Sequence, residues 1–183
     1  MMFGKNTHVT ETVKRIPPGS VGVEIGVWKG GSSVLFLEHC RFLHLVDPWS
    51  VDPYEVQPGY FQRYKTLVGS AEKQDFDTYY EKVYESVKKR FAGRSVKIHR
   101  CTSAEFFDTF EGLVDWVYID GMHTFEGCMA DLNGSLKIVS RGGFIFGDDY
   151  GTKPGVAEAV DAFVAENWFP LKVFAKTQFQ ISV

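Results

Sequence analysis

Hydrophobic positions along this chain alternate between two rhythms. Short, nearly continuous apolar runs lie at 21–26 (VGVEIG), 42–47 (FLHLVD), 95–100 (SVKIHR), 114–120 (VDWVYID) and 142–149 (GGFIFGDD). Most of them close on a glycine or an acid, and each predicts a buried strand. Between the runs, apolar residues recur three and four positions apart, the spacing of one helix face. This predicts a helix from Ser32 or Ser33, either of which offers an N-cap hydroxyl, to about Cys40. A second helix spans 76–91, with Phe76, Tyr80, Val83, Val87 and Phe91 on one face, and a short one spans 103–110. Another covers 124–139, with Phe125, Cys128, Leu132, Leu136 and Val139 as its stripe. The last covers 153–168, turning Val156, Val160, Phe163 and Val164 inward.

Strand and helix in strict alternation predict a doubly wound parallel sheet, because parallel neighbours need helical crossovers. The tail breaks the rule: 170–183 reads as two strands joined by a turn at Ala175–Lys176. The expected fold class is therefore α/β, a mostly parallel seven-stranded sheet with a C-terminal antiparallel hairpin, in one domain over 1–183. One stretch stands outside the rhythm. Residues 50–74, with their prolines, glycines and many aromatics, read as a long loop. A lid or substrate wall is the functional reading of it; a solvated surface insertion is the plain one.

Composition narrows the function. Apolar residues make up 44% and aromatics 15% of 183 residues, enough for a full core. A net charge of −3 without a basic cluster argues against nucleic acid as partner. No run is long enough to span a membrane, and the first fifteen residues hold no apolar leader segment. Cys40, Cys101 and Cys128 fit no metal or redox spacing and are expected reduced, which predicts a cytoplasmic protein. The Asn-Gly-Ser triplet at 133–135 falls in a helical pattern and carries no weight as a glycosylation site.

Ligands of an open parallel sheet sit beyond the carboxyl ends of its strands. Here those ends carry Glu24 to Gly26, Asp47, Thr102 with Ser103, Asp120, and the pair Asp148 and Asp149. Acids often end strands because they favour turns, which accounts for any one of these better than for all of them. The first turn, GVWKGGS, is G-x-x-x-G-G rather than the G-x-G-x-x-G of dinucleotide binders. Asp47 closes the second strand, where an acid can take both hydroxyls of a ribose. A nucleoside carrying a separate anionic group suits this arrangement better than a dinucleotide. Two adjacent carboxylates repel unless water or a cation lies against them.

Taken together, VEIGVWKGGS, LVDPW, YIDGMHTF and RGGFIFGDDY resemble class I S-adenosylmethionine-dependent O-methyltransferases. The likeness is strongest to the macrocin and mycinamicin sugar O-methyltransferases with the cephalosporin-hydroxylase-like enzymes, and more distant to catechol O-methyltransferase. It covers roughly Val21 to Tyr150. The resemblance implies that Glu24, Gly26, Trp28 and Ser32 hold the methionine part of S-adenosylmethionine and that Asp47 holds its ribose. Ser103, or Thr102 beside it, falls on the adenine side. Asp120, Asp148 and Asp149 match three ligands of Mg2+ (or Mn2+), and His123 matches a catalytic histidine. The macrolide sugar enzymes carry longer N-terminal segments that help close the site. In this chain the substrate walls must come from 50–74, from the tail or from another subunit of a homo-oligomer.

The expected activity is thus metal-dependent methylation of a sugar, glycan or other polyhydroxylated acceptor. A catechol-like phenol is the alternative acceptor, since Tyr54, Tyr60, Phe61 and Tyr64 can stack on either. A nicotinamide-dependent oxidoreductase is disfavoured by the glycine spacing, and a non-catalytic cofactor binder by His123 and the three acids. Each site residue also has a plain reading. Asp148 could cap the following helix with Asp149 solvated, Trp28 could be packing, and His123 could be a surface histidine. Asp131 reads as structural or solvated. His8, His39, His44 and His99 have no partner legible in sequence.

Overall fold

The computed structural model describes residues 7–183 with the exception of 56 and 58. The chain runs α1 (Thr7–Val13), β1 (Val21–Ile25), α2 (Gly31–Phe36), β2 (Phe42–Asp47), α3 (Asp52–Glu55), α4 (Tyr60–Val68) and α5 (Lys73–Phe91). It continues with β3 (Val96–Arg100), α6 (Ser103–Thr109), β4 (Val114–Ile119), α7 (Phe125–Ile138), β5 (Val139–Gly147), α8 (Pro154–Asn167), β6 (Leu171–Phe174) and β7 (Gln178–Ser182). The sheet order is β3-β2-β1-β4-β5-β7-β6. β1 to β5 pair in parallel, while β7 runs antiparallel to both β5 and β6. This is the expected doubly wound, seven-stranded fold with a reversed C-terminal hairpin, whose turn holds Ala175 and Lys176 at positive φ.

The two faces of the sheet bury separate cores. On one, Val9, Val13, Phe36, Val83, Val87 and Phe91 from α1, α2 and α5 pack on Leu43, Leu45, Trp116, Tyr118 and Phe146. On the other, Phe106, Phe107, Cys128, Leu132, Val156, Val160 and Phe163 from α6, α7 and α8 pack on Val23, Val46, Val117, Ile145 and Phe179. Aromatic and β-branched side chains, which suit a pleated surface, dominate both. α7 buries small and polar residues as well: Asp131, Gly134 and Ser135 all face inward. A Cβ at Gly134 would lie 2.2 Å from the Phe107 ring, so glycine is what lets α6 approach. Ser135 is fully buried and its hydroxyl donates to Asp131 O (2.7 Å).

Four expectations need correction. Residues 50–74 are not a loop but carry α3, α4 and the start of α5. Val51, Tyr60 and Phe76 form a small third core there, with Tyr54, Phe61, Val68 and Tyr80 packed around it. Neither Ser32 nor Ser33 caps α2; Gly30, in the left-handed region, is the N-cap, and both serines are used elsewhere. α2 also ends at Phe36 rather than near Cys40. β5 starts at Val139, well before Gly142, its register with β4 shifting between Val114 and Trp116. α1 had no counterpart in the sequence reading.

His44 and His99 do have partners. The β2–β3 register sets their rings side by side, with His44 Nδ1 3.0 Å from His99 Nε2, against Phe106. Burial, then His99 and Lys97, pull the His44 pKa down to about 4, and burial with Lys97 also lowers that of His99. The neutral forms are favoured in the fold, so the unfolded chain binds more protons below its ordinary histidine pKa of about 6.5. The stability this pair contributes is present above that pH and is lost as pH falls towards 4. Melting temperatures recorded from pH 7 to 4 should decline, and His99→Gln should flatten the decline. An unchanged slope in the variant would show the acid sensitivity to arise elsewhere.

Candidate functional site

The rim of the site is set by the backbone ladder running past the strand ends. Gly26 N donates to Val46 O (2.9 Å), Asp120 N to Ile25 O (2.8 Å) and Asp148 N to Ile119 O (3.1 Å). These bonds carry the ends of β2, β1, β4 and β5 to one level, which brings Gly26, Asp47, Asp120 and Asp148 to a common edge. Gly26 has φ 87°, and a Cβ there would lie 2.0 Å from Asp120 O. Only glycine permits this crossing of the two loops.

Below the turn, Glu24 is fully buried, and Ser32 and Ser33 donate their hydroxyls to its two oxygens. Burial raises its pKa to about 8 against the opposing effect of the serines, and the two hydroxyl bonds tie α2 to β1. Asp47 ties the turn from the other side. Its Oδ2 accepts from Trp28 N (2.8 Å) and its Oδ1 from Trp49 N (2.7 Å), while Trp49 Nε1 donates to Trp28 O (2.8 Å). Trp28 and Trp49 both hold positive φ, an uncommon state for bulky residues that persists where surroundings enforce it. The Asp47 carboxylate supplies that enforcement. Trp49 is 1% exposed, whereas Trp28 is 45% exposed and lines the cleft.

At the mouth, the structure brings together Asp120, His123 and Asp149, whose ligating atoms lie within 4.8 Å of one another. His123 Nε2 is 3.1 Å from Asp149 Oδ2 and 3.5 Å from Asp120 Oδ1. The Asp120 carboxylate, followed by Asp149, raises the His123 pKa against burial and Lys153. Asp120 is pushed up to about 6, first by burial and then by Asp148 and Asp149 against the favourable contact with His123. Asp149 sits at φ 65° and its Oδ1 accepts from the Thr152 hydroxyl, which leaves Oδ2 facing His123. Asp148 is not part of this cluster: its Oδ1 accepts from Asp149 N (2.7 Å).

A cleft of ≈ 510 Å³ opens beside the cluster, walled by Trp28, Asp47, Asp120 and His123 on one side and by Tyr54, Tyr60, Arg63, Tyr64 and Leu67 on the other. Phe61 is not on this wall; it packs edge-on to Phe76. Arg63, Gln57 and Lys153 also line the cleft and were not singled out by sequence, since single polar residues in and between helices carry no periodic signal. A narrower recess continues from the cleft between Ile25, Val46, Pro48, Ser103, Met122 and Asp131. Ser103 lies on it, as does Thr102, but the Thr102 hydroxyl is committed to a capping box with Glu105 at the start of α6.

The donor set at the mouth fits a hard divalent cation. Two of the clustered groups, Asp120 and Asp149, are carboxylates that repel one another, and magnesium favours oxygen ligands. Asp120 and Asp149 are already oriented towards a common point, and Asp148 is adjacent.

Among known proteins, the family model described as a methyltransferase domain matches residues 23–150. An uncharacterised protein of Acanthamoeba polyphaga mimivirus is 29% identical over 152 residues, covering 79% of this chain and 59% of that protein. The chain thus spans less than two thirds of the length of this relative. The S-adenosylhomocysteine-bound methyltransferase PaMTH1 of Podospora anserina shares the fold with a TM-score of 0.60 at 17% identity, over 96% of this chain and 75% of the other. The O-methyltransferase NovP also superimposes with a TM-score of 0.60, at 19% identity over 96% of this chain and 78% of its own.

Proposed function

The chain belongs to the methyltransferase-domain family, and from that premise we propose that it moves the methyl group of S-adenosylmethionine to a hydroxyl of a sugar, glycan or other polyhydroxylated acceptor. The observation carrying this reading is the Asp120–His123–Asp149 cluster at the mouth of a cleft whose floor holds Asp47 and Trp28. The macrocin and mycinamicin group is the branch whose motifs the chain resembles, and NovP is an O-methyltransferase of the same fold.

In this reading Glu24 and Asp47 hold the glycine turn in the shape that receives the amino-acid end of the cofactor. Asp47 retains lone pairs for the ribose hydroxyls beyond the two backbone amides it already accepts. Asp120, Asp148 and Asp149 would hold Mg2+ or Mn2+, which supplies Lewis acidity that lowers the pKa of an acceptor hydroxyl. His123, whose Nε2–H is held by Asp149 and Asp120, would take the hydroxyl proton on its other ring nitrogen, Nδ1. The oxygen then forms its bond to the methyl carbon as the carbon–sulfur bond breaks, and the electron pair stays on sulfur. Tyr54 and Tyr64 line the cleft where an acceptor would pack, backed by the buried Tyr60 ring, with Arg63 and Lys153 beside them. A catechol-like phenol is the second reading, supported by the same aromatic wall.

Methyl transfer measured over monosaccharides, glycans and catechols, with and without Mg2+, tests the assignment. Turnover on the sugar set, metal-dependent, is the expected result; turnover confined to catechols transfers the site to the phenol reading. Asp47→Ala should weaken S-adenosylmethionine binding by about 1.5–3 kcal/mol, roughly ten- to hundredfold. The variant also frees the Trp28 and Trp49 amides, so its melting temperature belongs beside the calorimetric affinity. A folded variant with unchanged affinity would remove Asp47 from the cofactor site.

A further inference from the structure

Two cations in the cleft take no part in the reaction above. Arg63 stands on the face of α4 that Tyr60, Tyr64 and Leu67 share at helical spacing, and that face lines the cleft. Lys153 precedes α8 as its N-cap, and its backbone amide donates to Asp149 O (2.9 Å). The Asp149 carboxylate lies 3.1 Å from His123, so this lysine stands beside the base, at the acceptor end of the cleft. Among the described residues neither cation has an ion-pair partner, although Asp47 and Asp120 line the same cleft. Lys14, Lys73, Lys88 and Arg100, by contrast, each meet a carboxylate at 2.5 or 2.6 Å. The guanidinium fork matches a carboxylate or a phosphate with two parallel hydrogen bonds, and the ammonium adds a point charge.

A neutral sugar gains little from two full charges whose hydration it must replace, whereas an anionic one gains from both. Asp120 and Asp149 repel an anion placed against them. The anionic group must therefore lie towards Arg63 and Lys153 while the reacting hydroxyl lies at His123. We infer that the acceptor is an acidic sugar, one that carries a carboxylate or a phosphate, and that Arg63 and Lys153 bind this group and select it over its neutral counterpart. The inference rests on the sugar-acceptor reading above and names the class of sugar.

The test compares methyl transfer to glucose, glucuronate and glucose 6-phosphate at matched ionic strength. The wild-type protein should favour one of the acidic sugars over glucose by about twentyfold or more in kcat/KM, glucuronate marking a carboxylate and glucose 6-phosphate a phosphate. Both cations are exposed, which limits each contact to about fivefold, and the two together give that figure. Arg63→Ala combined with Lys153→Ala should bring the ratio to within about threefold, mostly through KM. Neither side chain caps a helix, so the double variant keeps the fold. The preference should also shrink as sodium chloride is raised, because exposed charges are screened. A wild-type protein that turns over glucose as well as the acidic sugars overturns the inference and leaves the sugar reading standing, and so does a preference that survives the double variant. A double variant whose S-adenosylhomocysteine affinity, read by calorimetry, falls by the same factor as the ratio also overturns it, since the cations would then hold the cofactor's carboxylate. Transfer to none of the three sugars removes the sugar reading and this inference together.

Discussion

Replacing His123 with alanine is expected to lower turnover about 10²–10⁴-fold, the usual contribution of a positioned general base. Affinity for S-adenosylmethionine should barely move, because the proton transfer belongs to the transition state and not to the bound ground state. The imidazole is fixed by two carboxylates, Asp149 at 3.1 Å and Asp120 at 3.5 Å, and both come from strand ends rather than from free loops. A base held in that way loses most of its effect when its side chain is truncated, and added imidazole should restore part of the rate. Steady-state kinetics on the true acceptor at neutral pH would read this directly. A variant within about threefold of the parent would make His123 a bystander and leave the carboxylates to act alone.

The second large effect concerns the cation. Exhaustive chelation is expected to cut turnover by about 10³-fold or more, as several kcal/mol of charge stabilisation disappear, and Mg2+ or Mn2+ should restore it. Asp149→Asn should reproduce the loss and blunt the restoration. The energetic reason lies in the cluster: Asp120 is held near a pKa of about 6 partly by its acidic neighbours, a repulsion that a divalent ion would relieve. Full activity in chelator, with metal content confirmed below the protein concentration, would leave the three acids a purely structural duty.

The sheet was legible from the chain because its signal is local. Five apolar runs, four of them closed by glycine or acid, became β1 to β5, and the same closures marked the rim where Gly26, Asp47, Asp120 and Asp148 meet. The reversed tail could be read because a terminal pair of strands has no crossover helix between them. What was not legible depended on distant partners. α4 begins at Gly59 with a left-handed N-cap and no side-chain cap, so no serine, threonine or acid announces it. Ser32 and Ser33 carry the residue type of a helix cap, yet a buried Glu24 eight and nine positions earlier claims both. His44 and His99 meet only through the β2–β3 register, 55 positions apart. Asp131 looked like one more acid on a helix, and only the packing of α7 against the sheet turns it into the recess.

The place of β1 in the sheet has a consequence for how the protein is made. β1 lies between β2, which follows it closely, and β4, whose residues come more than ninety positions later. At a synthesis rate of about 5–20 residues per second, roughly four to fourteen seconds separate the emergence of the two neighbours. Through that interval a nascent β3-β2-β1 sheet would present Val23 and Ile25 on an open edge, the kind of surface that pairs with other chains. The ribosome-bound chain is then most exposed to misassociation just before residues 114–119 arrive. The rim carrying Gly26, Asp120 and Asp149 spans the ends of β1, β4 and β5, so it cannot be assembled before that edge is covered.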